Sequence, residues 1–158
     1  MEVLEAIKAR RSIRRYKADP VDDKTIELVL EAARLAPSWG NTQCCRFIIV
    51  RDHNVKSQLA DTLLQVEGRE APAPNPAIDA IRNAPVVIVA CAELKRAGFY
   101  FGKPATDKGE HWFMFDVALA MQNLVLAAHS LGLGTVMVGA ADAGKIGGIL
   151  NVPAGFVQ

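Results

Sequence analysis

Asp116-Val117-Ala118-Leu119-Ala120-Met121-Gln122-Asn123-Leu124, followed by Ala127-Ala128-His129-Ser130-Leu131-Gly132-Leu133-Gly134-Thr135, is the stretch on which the fold of this chain turns. Residues 110–131 read as one long helix, apolar nearly all round, and a helix of that kind is buried. Gly132 and Gly134 close it as C-terminal caps. Thr135 to Val138 then reads as a strand. The pair of glycines resembles part of a dinucleotide-binding turn, but Met137 holds the place of the third glycine. The turn also leaves a helix and enters a strand, the reverse of the order that fingerprint needs.

Working outward from the helix, Phe47 to Val50 and Pro85 to Cys91 are short β-branched runs, the composition of buried strands. Residues 2–10 have Val3, Leu4 and Ile7 at helical spacing. Ser12 to Lys17 breaks that pattern as a loop or short extended stretch. Asp22 reads as the N-cap of a second helix, with Val21 and Ile26 at the positions of a hydrophobic staple, and Pro37 ends it. A further helix is expected over 54–66. Residues 68–76 and 93–109, with their Gly, Pro and charged residues, read as loops, the second of them mobile. Asp142 caps a last short helix ending near Asn151-Val152-Pro153, and another strand begins at Phe156-Val157-Gln158. Strands separated by helices predict a mixed α/β or α+β sheet sandwiched by helices.

The 158 residues predict one domain, residues 1–158, large enough to bury a core. A hydrophobic share of 51% against 22% charged argues for an ordered globular chain. No run is expected to reach the length of a membrane span, and Met1-Glu2-Val3-Leu4-Glu5 lacks the features of a signal peptide, so the expectation is a cytoplasmic protein. Cys44, Cys45 and Cys91 form no disulfide framework. With His53, His111 and His129 far apart, no metal site is expected. There is no Gly-x-Ser-x-Gly elbow, and Cys44 and Cys45 read as small core residues rather than nucleophiles.

Two segments carry chemical promise. Lys8, Arg10, Arg11, Arg14, Arg15 and Lys17 crowd the first seventeen residues of a chain whose net charge is only +1. Guanidinium forks beside the Ser12 hydroxyl suit a phosphate; a solvated basic face is the other reading. Pro37-Ser38-Trp39-Gly40-Asn41-Thr42-Gln43 is a loop rich in amide, hydroxyl and aromatic groups. Asn and Gln offer both donor and acceptor to the edge of a heterocycle, although an ordinary capped turn has the same composition. Binding to nucleic acid is disfavoured, because the net charge is near zero and no basic recognition helix is present.

Taken together, Ala9-Arg10-Arg11-Ser12-Ile13-Arg14-Arg15-Tyr16, Ala36-Pro37-Ser38-Trp39-Gly40-Asn41-Thr42-Gln43, the Asp116–Leu124 helix and its Gly132-Leu133-Gly134-Thr135 exit resemble, in order and spacing, the signatures of the nitroreductase family of FMN enzymes. The resemblance implies an α+β fold with a mostly antiparallel sheet flanked by helices, and a homodimer with FMN in its interface. It implies that Arg10, Ser12 and Arg14 hold the ribityl phosphate with Arg11 nearby. Pro37, Ser38, Trp39 and Asn41, supplied by the partner subunit, would line the isoalloxazine ring, with Gln43 near it. Met137, Val138 and Gly139 would pass along the flavin edge, the Gly139 amide meeting the ring nitrogen that accepts hydride. The implied activity is transfer of hydride from NADH or NADPH to a nitroaromatic, quinone or related small acceptor by ping-pong chemistry. No catalytic acid or base is required, since the flavin carries the redox step. A flavin-binding carrier or sensor without turnover is the alternative. Gln43-Cys44-Cys45 departs from the family's usual Gln-Pro-Trp, and the family normally continues beyond Gln158 into a further strand and a basic segment, so that the C-terminal strand and tail are expected to be missing here.

Overall fold

The computed structural model describes residues 2–66 and 71–158. In chain order these residues form α1 (Val3–Ala9), α2 (Asp23–Arg34), β1 (Cys45–Val50), α3 (His53–Ala60), α4 (Ile78–Asn83), β2 (Val87–Glu93), β3 (Phe99–Tyr100), β4 (Lys103–Pro104), α5 (Trp112–Ser130), α6 (Ala143–Ile149) and β5 (Phe156–Val157). Short 3-10 turns lie at Trp39–Asn41 and Gly109–His111.

The sheet is antiparallel, in the order β1-β2-β5. β1 and β2 pair along six residues, from Cys45 opposite Ala92 to Val50 opposite Val87. β5 adds only Val157 opposite Ala92 and Phe156 opposite Glu93. α5 lies on this sheet and against α2. The core forms where Val29 and Ala33 of α2 meet Ala120, Leu124, Val125 and Ala128 of α5, with Phe47 and Ile88 of the sheet packed against them. Alanines at 33, 120 and 128 let the helices approach, and the Asn123 side chain donates to the Ala32 carbonyl at 3.1 Å. Burial of Leu124 and its neighbours supplies about 1.5–3 kcal/mol per large side chain. The fold is α+β, as expected.

Caps lie where the residue types require them. Asp22 accepts from the Thr25 N–H at 2.8 Å and Asp142 from the Lys145 N–H at 3.0 Å, each satisfying a helix N–H that has no partner within the helix. Gly132, at φ +81°, takes the left-handed exit from α5.

Several expectations are corrected. Gly134 is not a cap. Its φ is ordinary, and a Cβ there would lie 3.0 Å from Ile13 Cβ and Cγ2, so glycine serves close approach of two backbones. Thr135 to Val138 is not a strand; it runs alongside the chain with a single parallel bridge, Thr135 to Ser12, because its remaining length lies against no other strand. The helix expected over 54–66 stops at Ala60, where Thr62 turns back to donate to the Leu59 carbonyl. β1 begins at Cys45, two residues before the apolar run that announced it. Within 68–76, Gly68 lies outside the described residues. α4, beyond that loop, was not expected. Residues 93–109, expected as a mobile loop, contain the β3–β4 hairpin, Phe99–Tyr100 paired with Lys103–Pro104.

α5 is also not buried all round. Its fully buried residues, Asp116, Ala120, Leu124, Val125 and Ala128, follow one stripe at mostly four-residue spacing, while Met114 and Phe115 are 60% and 55% exposed. By length and composition, Gly109–Ser130 is apolar enough to cross a membrane, contrary to the expectation. In this fold it packs on α2, β1 and β2 as a core helix.

Candidate functional site

The basic cluster begins where α1 ends. Arg10 is its C-cap residue, and the Arg11 guanidinium turns back to donate to the carbonyls of Lys8 at 2.6 Å and Arg10 at 2.8 Å. A cation at that end complements the helix dipole, so Arg11 is committed to the helix. Arg14 and Arg15 are exposed. Among the described residues, Arg10, Arg14 and Arg15 join no ion pair. Ser12 is held in place by its bridge to Thr135, reinforced by the Ile13 N–H donating to the Thr135 carbonyl at 2.9 Å. The Tyr16 hydroxyl donates to the Ile13 carbonyl at 2.6 Å, and burial pushes its pKa up, so it stays a donor.

Thr135 opens an extended strip tied at both ends. At its far end the Leu64 N–H donates to the Ala140 carbonyl at 3.0 Å and the Asp142 N–H to the Thr62 carbonyl at 2.9 Å. Between the ties, among the described residues, no backbone N–H from Val136 to Ala140 donates to another backbone group. Met137 is 52% exposed, and a Cβ added at Gly139 would meet nothing within 4 Å. Backbone N–H groups without a protein acceptor take one from water or a ligand. Ser12, with Arg10 and Arg14 two residues to either side in the chain, therefore adjoins one end of the strip that runs through Met137, Val138 and Gly139.

The loop from Pro37 to Cys44 is a separate construction. Gly40, Asn41 and Gln43 all have positive φ, at 53°, 54° and 51°. Asn and Gly tolerate that region; Gln43 is held there by its own N–H donating to Ser38 Oγ at 2.9 Å. The Trp39 N–H donates to Asp116 Oδ1 of α5 at 2.9 Å, and the Cys44 thiol lies 3.5 Å from Asp116 Oδ2. Its hydrogen bond with Cys45, burial and the Asp116 carboxylate all push the Cys44 thiol up, so it keeps its proton and donates. Cys44 is the small core residue expected, with a polar duty added. The Trp39 ring sits 4.7 Å from Tyr100 of the β3–β4 hairpin and 6.3 Å from Trp112.

Residues of the two groups line separate clefts. Pro37, Ser38 and Gln43 line a cleft of about 690 Å³ that reaches Asp116 and Ala120 on one face of α5. Ile13, Thr135, Met137 and Gly139 line another of about 1180 Å³ that reaches Val117 and Met121 on a different face of the same helix. Among the described residues, none lines both. Asp116 and Tyr100 were missed in the sequence. Asp116 left a signal, as the only Asp, Glu, Lys or Arg from Trp112 to Ser130; Tyr100 left none, because its role depends on where the hairpin lands.

A family-level comparison matches residues 7–158 to the Nitroreductase family. The chain is 34% identical over 139 residues to a Methanothermobacter thermautotrophicus protein named for NADH dehydrogenase/NAD(P)H nitroreductase activity, covering 88% of this chain and 61% of that one. The chain thus spans less than two thirds of that relative. A nitroreductase family protein from Clostridium novyi NT superposes with a TM-score of 0.81 at 30% identity, covering 99% of this chain and 80% of that one. A nitroreductase from Desulfovibrio desulfuricans, solved in complex with FMN, superposes with a TM-score of 0.67 at 34% identity, covering 87% and 68%.

Proposed function

The chain belongs to the nitroreductase family, and from that premise we propose that it is an NAD(P)H-dependent FMN oxidoreductase that reduces a nitroaromatic, quinone or related small acceptor, acting as a homodimer built from residues 1–158 as a single domain. The observation that carries the proposal is the separation of the two half-sites. Ile13 and Arg15 of the basic segment line one cleft together with the strip from Thr135 to Gly139, and Pro37, Ser38 and Gln43 of the amide-rich loop line another. A second copy brings the loop of one subunit to the donor strip of the other, and the uncovered Met114 and Phe115 of α5 are the kind of surface such an interface covers.

The residues present fit FMN. Arg10 and Arg14, in no ion pair among the described residues, and the bridged Ser12 would hold the phosphate. The unpaired N–H groups from Met137 to Gly139 would meet the edge of the ring, and Pro37, Ser38, Trp39, Asn41 and Gln43 would line it from the partner subunit. When bound, FMN supplies the redox chemistry itself. The protein's part is to orient and to stabilise. Fixed N–H donors favour negative charge on an atom they face, and at no cost of reorganisation. An exposed Gly139 leaves room for a flat donor and a flat acceptor to use the same face in turn, which is ping-pong turnover. The FMN complex of the Desulfovibrio relative and the nicotinamide in the name of the archaeal one support this reading.

The test is an anaerobic absorbance titration of the purified protein loaded with FMN. Bleaching of the flavin bands by NADH or NADPH, and their return on adding a quinone, is the expected result. Bands that persist with both donors would indicate a flavin carrier or sensor instead, and no retained FMN would refute the proposal.

A further inference from the structure

A carboxylate in the middle of an apolar core helix is costly to bury and needs compensating donors. Asp116 is 1% exposed. A leucine would fill the same space at no such cost, so the carboxylate is there for what it holds. Oδ1 accepts from the Trp39 N–H at 2.9 Å and Oδ2 faces the Cys44 thiol at 3.5 Å. Trp39 and Cys44 are the two ends of the segment that contains Gly40, Asn41 and Gln43 in their left-handed conformations. One rigidly mounted side chain thus grips both ends of a strained loop. The bonds inside the loop, Asn41 N–H to Ser38 O at 2.9 Å and Thr42 N–H to Trp39 O at 3.0 Å, shape the turn but do not anchor it to the helix.

We infer that Asp116 is the positioning residue of the flavin site, clamping Trp39 and Cys44 so that Asn41 and Gln43 meet the ring in a fixed orientation. The inference rests on the reading of this loop as ring-lining. It acts through the loop and not on the reactants, so it sets how tightly and in what orientation FMN is held.

The experiment compares FMN dissociation constants and visible circular dichroism of the bound flavin in wild type, Asp116→Leu and Asp116→Asn. Leucine removes both acceptors; asparagine keeps one carbonyl oxygen for the Trp39 N–H. The expected result is a loss of about tenfold or more in affinity for the leucine variant, the lower end of a charged hydrogen bond, with an altered flavin dichroism, and recovery of most of both by asparagine. A folded leucine variant with wild-type affinity and dichroism overturns the inference while leaving the flavin reading intact. Wild type that binds no FMN overturns both. If the leucine variant does not fold, Cys44→Ala tests the clamp from the loop side; a weaker affinity with changed dichroism supports it, and unchanged values overturn it.

Discussion

The backbone N–H of Ile13 donates to the carbonyl of Thr135 at 2.9 Å, joining the basic N-terminal segment to the donor strip that leaves α5. Gly134 makes this contact possible, because any Cβ there would press on Ile13 at 3.0 Å. Gly134→Ala is expected to cost about 1–3 kcal/mol by overpacking and to weaken FMN binding with it. Gly139→Ala is the contrast. It has open space within the chain, so it should leave apo stability unchanged while reducing FMN affinity. Denaturant midpoints of the apo proteins alongside FMN titrations separate the two effects.

The arginines divide by partner. Arg10 and Arg14 join no ion pair among the described residues, whereas Arg11 is spent on the carbonyls of α1. Arg10→Ala and Arg14→Ala should each weaken FMN by about 1.5–3 kcal/mol, the loss of a charge-assisted contact, with a salt dependence reduced relative to wild type. Arg11→Ala should lower the melting temperature more than the affinity. Unchanged FMN affinity in both Arg10 and Arg14 variants would remove them from the phosphate site.

The Tyr100 ring lies tilted against Trp39 with centroids 4.7 Å apart, while Phe101, next to it at the hairpin tip, is fully exposed. Gly98 pins the base of that hairpin, since a Cβ there would run into the Gly109 carbonyl and the Trp112 ring. Phe101→Ala cannot disturb a core it does not touch. Its expected effect is a rise in KM for a planar quinone, worth about 0.5–1.5 kcal/mol for one aromatic contact, with ferricyanide reduction unaffected. Steady-state kinetics with the two acceptors would show whether the hairpin shapes acceptor choice.

Acid should loosen the helix starts first. The Thr25 backbone N–H and hydroxyl hold the Asp22 carboxyl below its usual range, and the Lys145 N–H does the same for Asp142. A carboxyl whose folded pKa is depressed contributes stability above its unfolded pKa and loses it as pH falls through the folded value. Asp22→Asn and Asp142→Asn retain a capping side chain but cannot titrate. Denaturant midpoints should therefore fall less steeply for these variants than for wild type on the acid side of the ordinary carboxylate range.

The sequence by itself determined the local structure and the chemical inventory. Capping carboxylates at Asp22 and Asp142, the glycine exit at Gly132, the existence of the strands Cys45–Val50 and Val87–Glu93, though they are mostly half-buried and not buried as expected, and the long helix up to Ser130 are all written in near-neighbour patterns, because they depend on interactions a few residues apart. The residue types of the proposed site were equally visible, as a basic cluster and an amide-rich loop. Tertiary structure alone decided the rest. Whether Thr135 to Val138 became a strand depended on what lay beside it, and among the described residues its single bridge is to Ser12. Gly134 sits where a cap would, yet its reason is Ile13, 121 residues away along the chain. Asp116 meets Trp39 across 77 residues, and no periodicity within α5 encodes that meeting. Hydrogen bonds and caps are short-range, whereas burial, close approach and the partners of a buried charge are set by which distant segments the core brings together.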